Sequence, residues 1–359
     1  MERIEAQRRI RELSDNILAQ VSDGENPFIK IPIRGSSNVV WNEDQGLLSL
    51  GDKQSKRYFI NVAHAKKFMQ TLLVAAFSNQ LLDQDMHTSL REAFYSLKHT
   101  LKGSKENTFE EQSESNATFV DLEVALDILR DELHINADRR GVAAGEVVIE
   151  DRGDTIDWSK LGSGGWAIPG NVEDIEFKNV TADYMLVVEK NATFDRLHED
   201  KFWKKHNCVL IGTQGQAARG IRRLIHQLNG KFKLPVYAFT DSDPYGWYIY
   251  SVIKIGSMNL AHVSSKLGTP QTKFLGLTIS DIYKYELENA IIKAKDVDLK
   301  RAHDLLNYPW FKHKEWESEI KMMIKKKVKA EQEALAQKHL KFVSEEYLPE
   351  KIENKDFLP

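Results

Sequence analysis

Tyr184-Met185-Leu186-Val187-Val188 is an unbroken apolar run that stops at Glu189. Two more runs follow, Cys208-Val209-Leu210-Ile211 and Val236-Tyr237-Ala238-Phe239, and the second leads to Asp241. Helix-like segments lie between and after them, Phe194 to His206, Ala217 to Leu228 and Trp247 to Gly256, before a fourth strand from Lys273 to Ile279. A strand that is apolar throughout is covered on both faces. Such strands alternating with helices predict a parallel sheet.

Outward toward the C-terminus, the last stretch is mostly helical and highly charged. Lys321 to Lys329 holds five lysines. They either solvate a helix or touch nucleic acid. Toward the N-terminus, Asp151 to Asn179 is rich in Gly, Asp and Ser and reads as a linker with some local structure. Before it, Gly141 to Ile149 reads as a short hairpin. Three helices come earlier still: Ala63 to Leu82, one starting near His87-Thr88-Ser89, and one carrying Phe119, Leu122, Leu126, Leu129 and Leu133. Three helices and then a hairpin is the order of a winged helix-turn-helix. Residues 28 to 60 read as short strands. Ile4, Ile10, Leu13, Ile17 and Val21 mark an amphipathic helix, docked on its own domain or offered to a partner subunit.

The chain is thus expected to be a multidomain α/β protein. Residues 1–60 form an N-terminal helix and strand extension for partner contact. Residues 61–150 form the winged-helix domain and 151–180 the linker. Residues 181–359 form the parallel α/β domain with a helical C-terminal extension.

Composition narrows the function. Apolar residues make up 42% of 359, enough for real cores, so disorder of the whole chain is excluded. Fifty Lys and Arg against 53 Asp and Glu leave a net charge of -3. A polycation that coats DNA by charge alone is excluded, and any nucleic-acid surface must be a local patch. Cys208 is the one cysteine, which excludes an intrachain disulfide and a cysteine zinc site. The first residues are charged throughout, and the most apolar stretch, Phe68 to Phe77, is interrupted by Gln70 and Thr71. No membrane association and a cytoplasmic location are expected.

Three features carry chemistry. The first is Glu189 with Asp241 and Asp243, all at the carboxyl ends of parallel strands, where the functional crevice of an open α/β sheet sits. If the first and third strands are neighbours, three carboxylates converge. Their repulsion is relieved by a cation, and oxygen donors suit Mg²⁺. The competing reading is a surface Asp-Ser-Asp-Pro turn and a helix-capping Glu189. The second feature is Tyr95, which lies off the stripe of Phe94, Leu97 and Leu101, with Arg91 one turn earlier on its face. A guanidinium favours the phenolate, and such a group could attack phosphorus. A packed core tyrosine is the plainer reading. Lys98, His99 and Lys102, with Arg139 and Arg140 before the hairpin, form a basic stripe for DNA or a solvated face. The third is Gly212 to Leu228, where glycines lead into a helix. It is neither a Walker loop nor a dinucleotide fingerprint, so no ATP site is expected here. Arg219, Arg222 and Arg223 either bind DNA or pair with the acids.

Together these residues resemble the A subunit of archaeal DNA topoisomerase VI, a type IIB topoisomerase related to the meiotic double-strand-break transesterases. LREAFY resembles the motif whose last tyrosine is the nucleophile, which points to Tyr95 with Arg91 as neighbour. MLVVEK and FTDSDPYG are similar to the Toprim pattern of one Glu and an Asp-x-Asp, which points to Glu189, Asp241 and Asp243. GQAARGIRRLI and LGLTISDI resemble two further blocks. Phe94 stands where many relatives have a second tyrosine. The resemblance implies a winged helix followed by a Toprim domain. It implies a 5′-phosphotyrosyl link to double-stranded DNA and Mg²⁺ at the acids. It also implies a homodimer that pairs one protomer's tyrosine with the other's metal, and an A2B2 heterotetramer whose B subunits bind ATP. Two rivals are a Toprim metallonuclease that needs no Tyr95 and a winged-helix DNA-binding protein without catalysis. A phosphohydrolase using Asp241 as nucleophile fits poorly, because Pro244-Tyr245-Gly246 follows.

Overall fold

The computed structural model describes residues 2–137 and 139–359. The chain divides into two compact units. One takes residues 1–40, 49–138 and 258–263, and the other takes 41–48, 139–257 and 264–359.

The first unit is mainly helical. Its elements are α1 (Glu2–Ser22), β1 (Phe28–Pro32), β2 (Gln54–Tyr58), α2 (Val62–Gln84), α3 (Leu90–Leu97) and α4 (Gln112–Leu126). β1 and β2 pair antiparallel. Asn61 caps α2 by accepting the Ala63 N–H at 2.9 Å. The apolar stripes meet in one core: Ile10 of α1, Val74 and Leu82 of α2, Phe94 and Leu97 of α3, and Phe119 and Leu122 of α4. Arg34 and Arg57 both pair with Asp121, which ties the strand pair to α4. The third helix ends at Leu126, earlier than its apolar spacing predicts. Asp127 takes the left-handed conformation and a short 3₁₀ turn carries Leu133 into the core.

The second unit contains the expected sheet. Its strands are β3 (Val142–Ala144), β4 (Val147–Asp151), β5 (Asp154–Asp157), β6 (Trp166–Ala167), β7 (Glu176–Val180), β8 (Tyr184–Val188), β9 (Cys208–Gly212), β10 (Val236–Phe239) and β11 (Lys273–Gly276). Six of them form a sheet in the order β6-β3-β9-β8-β10-β11. β8 pairs in parallel with both β9 and β10, so the first and third apolar runs are direct neighbours. Every residue of β8 and β9 is buried, as covered faces require. The helices are α5 (Asn191–Glu199), α6 (Arg219–Phe232), α7 (Pro244–Ile255), α8 (Ile279–Lys284), α9 (Asp296–Leu305), α10 (Lys314–Lys326) and α11 (Leu348–Glu353). Val187, Val209 and Ile211 pack against Ile221 and Ile225 of α6 and Ile249 and Ile253 of α7. Each parallel strand thus returns through a helix, and the strand ends lie at one edge.

Residues 141 to 180 differ from expectation. β3 and β4 are not a hairpin. β3 adds antiparallel to β9 at the parallel sheet, while β4 leaves at Gly145 for a three-stranded antiparallel sheet, β7-β4-β5. The segment read as a linker therefore supplies strands. Arg152 and Gly153, both left-handed at φ 51° and 90°, make a two-residue turn between β4 and β5, which suits the twist of a tight hairpin. Arg139 and Arg140 belong to this second unit, not to the helical unit that carries Tyr95.

Candidate functional site

Two sites emerge, one in each unit. In the first, the Ser89 side chain accepts the Glu92 N–H at 3.1 Å and starts α3. Thr88 donates to the Glu92 carboxylate at 2.8 Å and fixes the same turn. Ala93, Phe94 and Leu97 point into the core. The opposite face carries Arg91 and Tyr95, and Tyr95 is 64% exposed. Among the described residues, neither its hydroxyl nor the Arg91 guanidinium has a hydrogen-bond or ion-pair partner. Ser89, Arg91, Glu92, Tyr95 and Ser96 line a shallow open depression of about 520 Å³. A large aromatic normally buries its ring. Here it is held outward on a rigid helix above a packed core.

The expected basic residues after Tyr95 are all on the surface. Lys98, His99 and Lys102 are exposed. Lys98 donates to the Glu110 carbonyl at 3.0 Å and lies over the Phe94 ring. The polar loop they start is pinned by Thr108, which donates to the Leu97 carbonyl at 2.6 Å and accepts from the His99 N–H at 3.1 Å.

In the second unit, Glu189 follows β8, and Asp241 and Asp243 follow β10. The Asp241 N–H donates to Glu189 Oε2 at 3.0 Å. Asp243 caps α7, accepting the N–H groups of Tyr245 and Gly246 at 2.9 and 2.8 Å. Only a glycine fits at 246, since a Cβ there would lie 2.4 Å from the Asp241 carbonyl oxygen. The third acid thus sits at the start of a helix tucked directly under the second.

The three carboxylates share one electrostatic field. Burial and the charges of Asp241 and Asp243 push Glu189 up to about 7, against the Asp241 N–H that favours its ionised form. Burial raises Asp241 to about 6, with Asp243 adding, while the Gln332 N–H and Lys190 oppose the rise. Two lysines compensate the cluster, one that the sequence did not single out, Lys190, and one expected to face solvent or nucleic acid, Lys329. Lys190 contacts Asp241 at 3.1 Å and Glu331 at 3.2 Å. Lys329 contacts Asp243 at 3.5 Å and Asp298 at 3.2 Å. Burial depresses both lysines, but the carboxylates outweigh it and hold them above the ordinary range. Lys329 is the last residue of the lysine-rich stretch, and it faces the acids rather than solvent. A strap follows it. Ser242 and Ala330 exchange backbone hydrogen bonds, and the Gln332 N–H donates to Asp241 Oδ1 at 2.9 Å. The only available signal was that Lys190 directly follows Glu189.

Among the described residues, no three acidic, histidine or cysteine side chains stand at metal-ligand spacing. The donor chemistry nevertheless fits Mg²⁺: three oxygen-donor carboxylates, of which Glu189 and Asp241 are pushed up first by burial and then by neighbouring carboxylate charge.

The arginines of Gly212 to Leu228 separate. Arg223 pairs bidentately with Glu173, its Nη2 at 2.9 Å, and is structural. Arg219 and Arg222 are buried. Arg140 is exposed and donates to the Gln214 carbonyl at 2.9 Å, at the loop before α6, and Arg139 is exposed beside it.

Comparison with known proteins agrees with this architecture. Residues 184–352 match the Toprim domain of the topoisomerase 6 A subunit and Spo11. Residues 66–135 match the family described as type IIB DNA topoisomerase, and 141–181 match the all-beta domain in DNA topoisomerase VI alpha subunit. A Toprim sheet joined to these two regions defines the cleaving chain of a type IIB topoisomerase. The type 2 DNA topoisomerase 6 A subunit of Pyrococcus abyssi is 52% identical over 98% of this chain and 95% of its own length. The Hyperthermus butylicus protein of the same name is 44% identical over 97% and 94%. That of Methanocaldococcus jannaschii is 36% identical over 97% and 95%. The chain belongs to the family of type 2 DNA topoisomerase 6 A subunits.

Proposed function

We propose that Tyr95 is the nucleophile by which this chain cuts duplex DNA, and that its partner is a separate ATPase, the B subunit of topoisomerase VI. The observation that carries the reading is an exposed, unpartnered tyrosine sharing the outer face of a well-capped helix with Arg91. The Tyr95 oxygen attacks the phosphorus and loses its proton to solvent. The P–O3′ bond breaks, the 3′ oxygen takes up a proton, and a 5′-phosphotyrosyl link remains. The reverse reaction reseals the strand, because the phosphodiester bond energy is kept. Arg91 holds the phosphate beside the tyrosine. Glu189, Asp241 and Asp243 would hold Mg²⁺, which when bound supplies positive charge to phosphate oxygens. Lys190 and Lys329 hold the carboxylates in place and balance their charge.

The finer architecture belongs to the same proposal. α2, α3 and α4, with the short parallel pairing of Thr88–Ser89 to Ile135–Asn136, are read as a winged helix-turn-helix. A homodimer brings the tyrosine of one protomer to the carboxylates of the other, and two B subunits complete an A2B2 heterotetramer that binds ATP on B. Lys98, His99, Lys102, Arg139 and Arg140 contact DNA phosphates. A cytoplasmic, nucleoid-associated location follows from such a substrate.

The test is a cleavage trap. The protein is mixed with its ATPase partner, supercoiled plasmid, Mg²⁺ and a non-hydrolysable ATP analogue, then denatured rapidly. Linear DNA with protein on its 5′ ends is expected, absent in Tyr95→Phe. Linear DNA with free ends in both samples would make the chain a hydrolytic nuclease.

A further inference from the structure

Arg222, on the fourth residue of α6, is 4% exposed. Among the described residues, neither its Nε nor its Nη1 has a hydrogen-bond acceptor. Burial, with Arg219 one turn earlier, depresses it to about 10, and the Tyr248 hydroxyl acts the other way. No carboxylate takes part in that balance. Tyr248 has a second cationic neighbour, Arg301 of α9. Its guanidinium carbon lies 4.3 Å from the Tyr245 ring centre and 5.6 Å from that of Tyr248. Among the described residues, Arg301 has no carboxylate within ion-pair distance either.

This arrangement departs from the rest of the molecule. Arg34 and Arg57 share Asp121, and Arg223 has Glu173. A desolvated guanidinium is ordinarily held by an acid, because an unpaired buried charge is strongly destabilising. A buried Arg222 and a half-buried Arg301 without one, both beside Tyr248, leave positive charge in need of an anion. The surroundings are positive too. α6 begins at Arg219 with Ala218 as its N-cap and no side-chain cap, so the positive end of the helix dipole adds to the two guanidiniums. Tyr245 is 42% exposed, so the cluster opens to solvent at that end. α6 and α7 follow β9 and β10, which places their N-termini at the sheet edge that carries Glu189 and Asp241.

We infer that Arg222 and Arg301, both beside Tyr248, are a phosphate-binding subsite that grips the backbone of the DNA beside the acidic edge. The inference rests on the DNA-cleaving reading above. The planar forks of the two guanidiniums match phosphodiester oxygens, and Tyr245 and Tyr248 hold the Arg301 fork against their rings. A phosphate bound there carries no base information. It sets where the strand lies relative to the carboxylates.

The experiment measures binding of a short blunt duplex to the full chain in chelator, with no cleavage involved, across a salt series. Each lost phosphate contact lowers the slope of log affinity against log salt by about 0.9. Arg301→Met is expected to show that loss with an unchanged Tm. Arg222→Met is expected to show it with an equal or higher Tm, because an uncompensated buried cation has been removed. Arg222→Lys, which keeps the charge and loses the fork, is expected to bind between parent and Met variant. Parental slopes in both Met variants, with a lowered Tm for Arg222→Met, would make the arginines packing residues and overturn the inference. Inorganic phosphate raising the parent's Tm but not that of Arg222→Met, with duplex slopes unchanged, would make this a free-phosphate site and overturn the DNA assignment. If the parent cleaves plasmid through Tyr95 but the slopes do not move, only this inference falls. If the parent binds no duplex, the functional reading falls with it.

Discussion

The backbone N–H of Asp241 donates to Glu189 Oε2 at 3.0 Å, joining the ends of two neighbouring parallel strands. The two acids are therefore held together by the backbone of one and the side chain of the other. Glu189→Gln keeps an oxygen for that N–H, and Glu189→Ala leaves it unsatisfied. We expect Mg²⁺ to raise the Tm of the parent by mass action and to leave both variants unmoved. In the absence of metal, only the Ala variant should lose stability, by about 1–3 kcal/mol. An equal Mg²⁺ response in Glu189→Gln would remove Glu189 from the metal site.

Asp243 has two tasks that mutation can separate. It caps α7 through the Tyr245 and Gly246 N–H groups and faces Lys329. Asn is as good a cap as Asp, whereas Ala loses about 1 kcal/mol. Asp243→Asn should thus retain stability and lose cleavage, and Asp243→Ala should lose both. Denaturant melts beside the cleavage trap would show the difference. Full cleavage by the Asn variant would leave Asp243 a cap and nothing more.

Arg91 and Tyr95 are exposed, and Tyr95 meets the core only through the edge of the neighbouring Phe94, ring centres 5.2 Å apart. Surface changes of this kind stay within about 0.5 kcal/mol. Tyr95→Phe and Arg91→Ala should therefore melt like the parent while covalent cleavage falls, to nothing in the first and by at least about tenfold in the second. A drop in Tm matching the loss of activity would instead mark these residues as structural.

Asp281 is the most heavily bonded acid in the second unit. It closes the capping box of α8, accepts from Tyr347 at 2.8 Å, and takes Lys351 at 3.1 and 3.2 Å. Lys351 is 3% exposed, so the pair is dry. Removing one partner of a buried pair costs about 3–5 kcal/mol. Lys351→Met is expected to destabilise by that amount. Tyr347→Phe, which removes one hydrogen bond, should cost nearer 1 kcal/mol. Urea melts would decide it, and equal small effects would mean that α11 is not anchored through Asp281.

Lys254 gives the pH dependence. Burial first, and then Lys273, depress it to about 8, while its ammonium donates to the Pro270 and Thr272 carbonyls at 2.7 and 3.0 Å. The folded value lies below the unfolded one. Between pH 8 and the ordinary lysine value the unfolded chain binds more protons, so stability rises with pH there, and the destabilisation is full below pH 8. We expect the parent to gain about 2–3 kcal/mol relative to Lys254→Met across that window. Parallel stability curves for the two proteins would show that the carbonyls fully compensate the burial.

The sequence alone determined the parts that rest on local pattern. Apolar runs such as Tyr184 to Val188 had to be doubly covered strands, and the Glu and Asp that end them had to lie at one edge. Phe94 and Leu97 had to turn inward, leaving Tyr95 on the other face of the same helix. The tertiary structure decided what depends on partners far along the chain. Val142 to Ala144 reads locally as half of a hairpin, but it pairs with Trp166–Ala167 on one side and with the Cys208 strand, about 70 residues on, on the other. Short strands with glycines look like linkers because their pairing energy lies in cross-strand neighbours. Lys190 and Lys329 face the acids only once the strap has crossed the strand ends. The adjacent arginines 222 and 223 differ because helical geometry sets them about 100° apart, one toward Glu173 and one toward Tyr248. Periodicity says which residues share a face, but long-range packing says what that face meets.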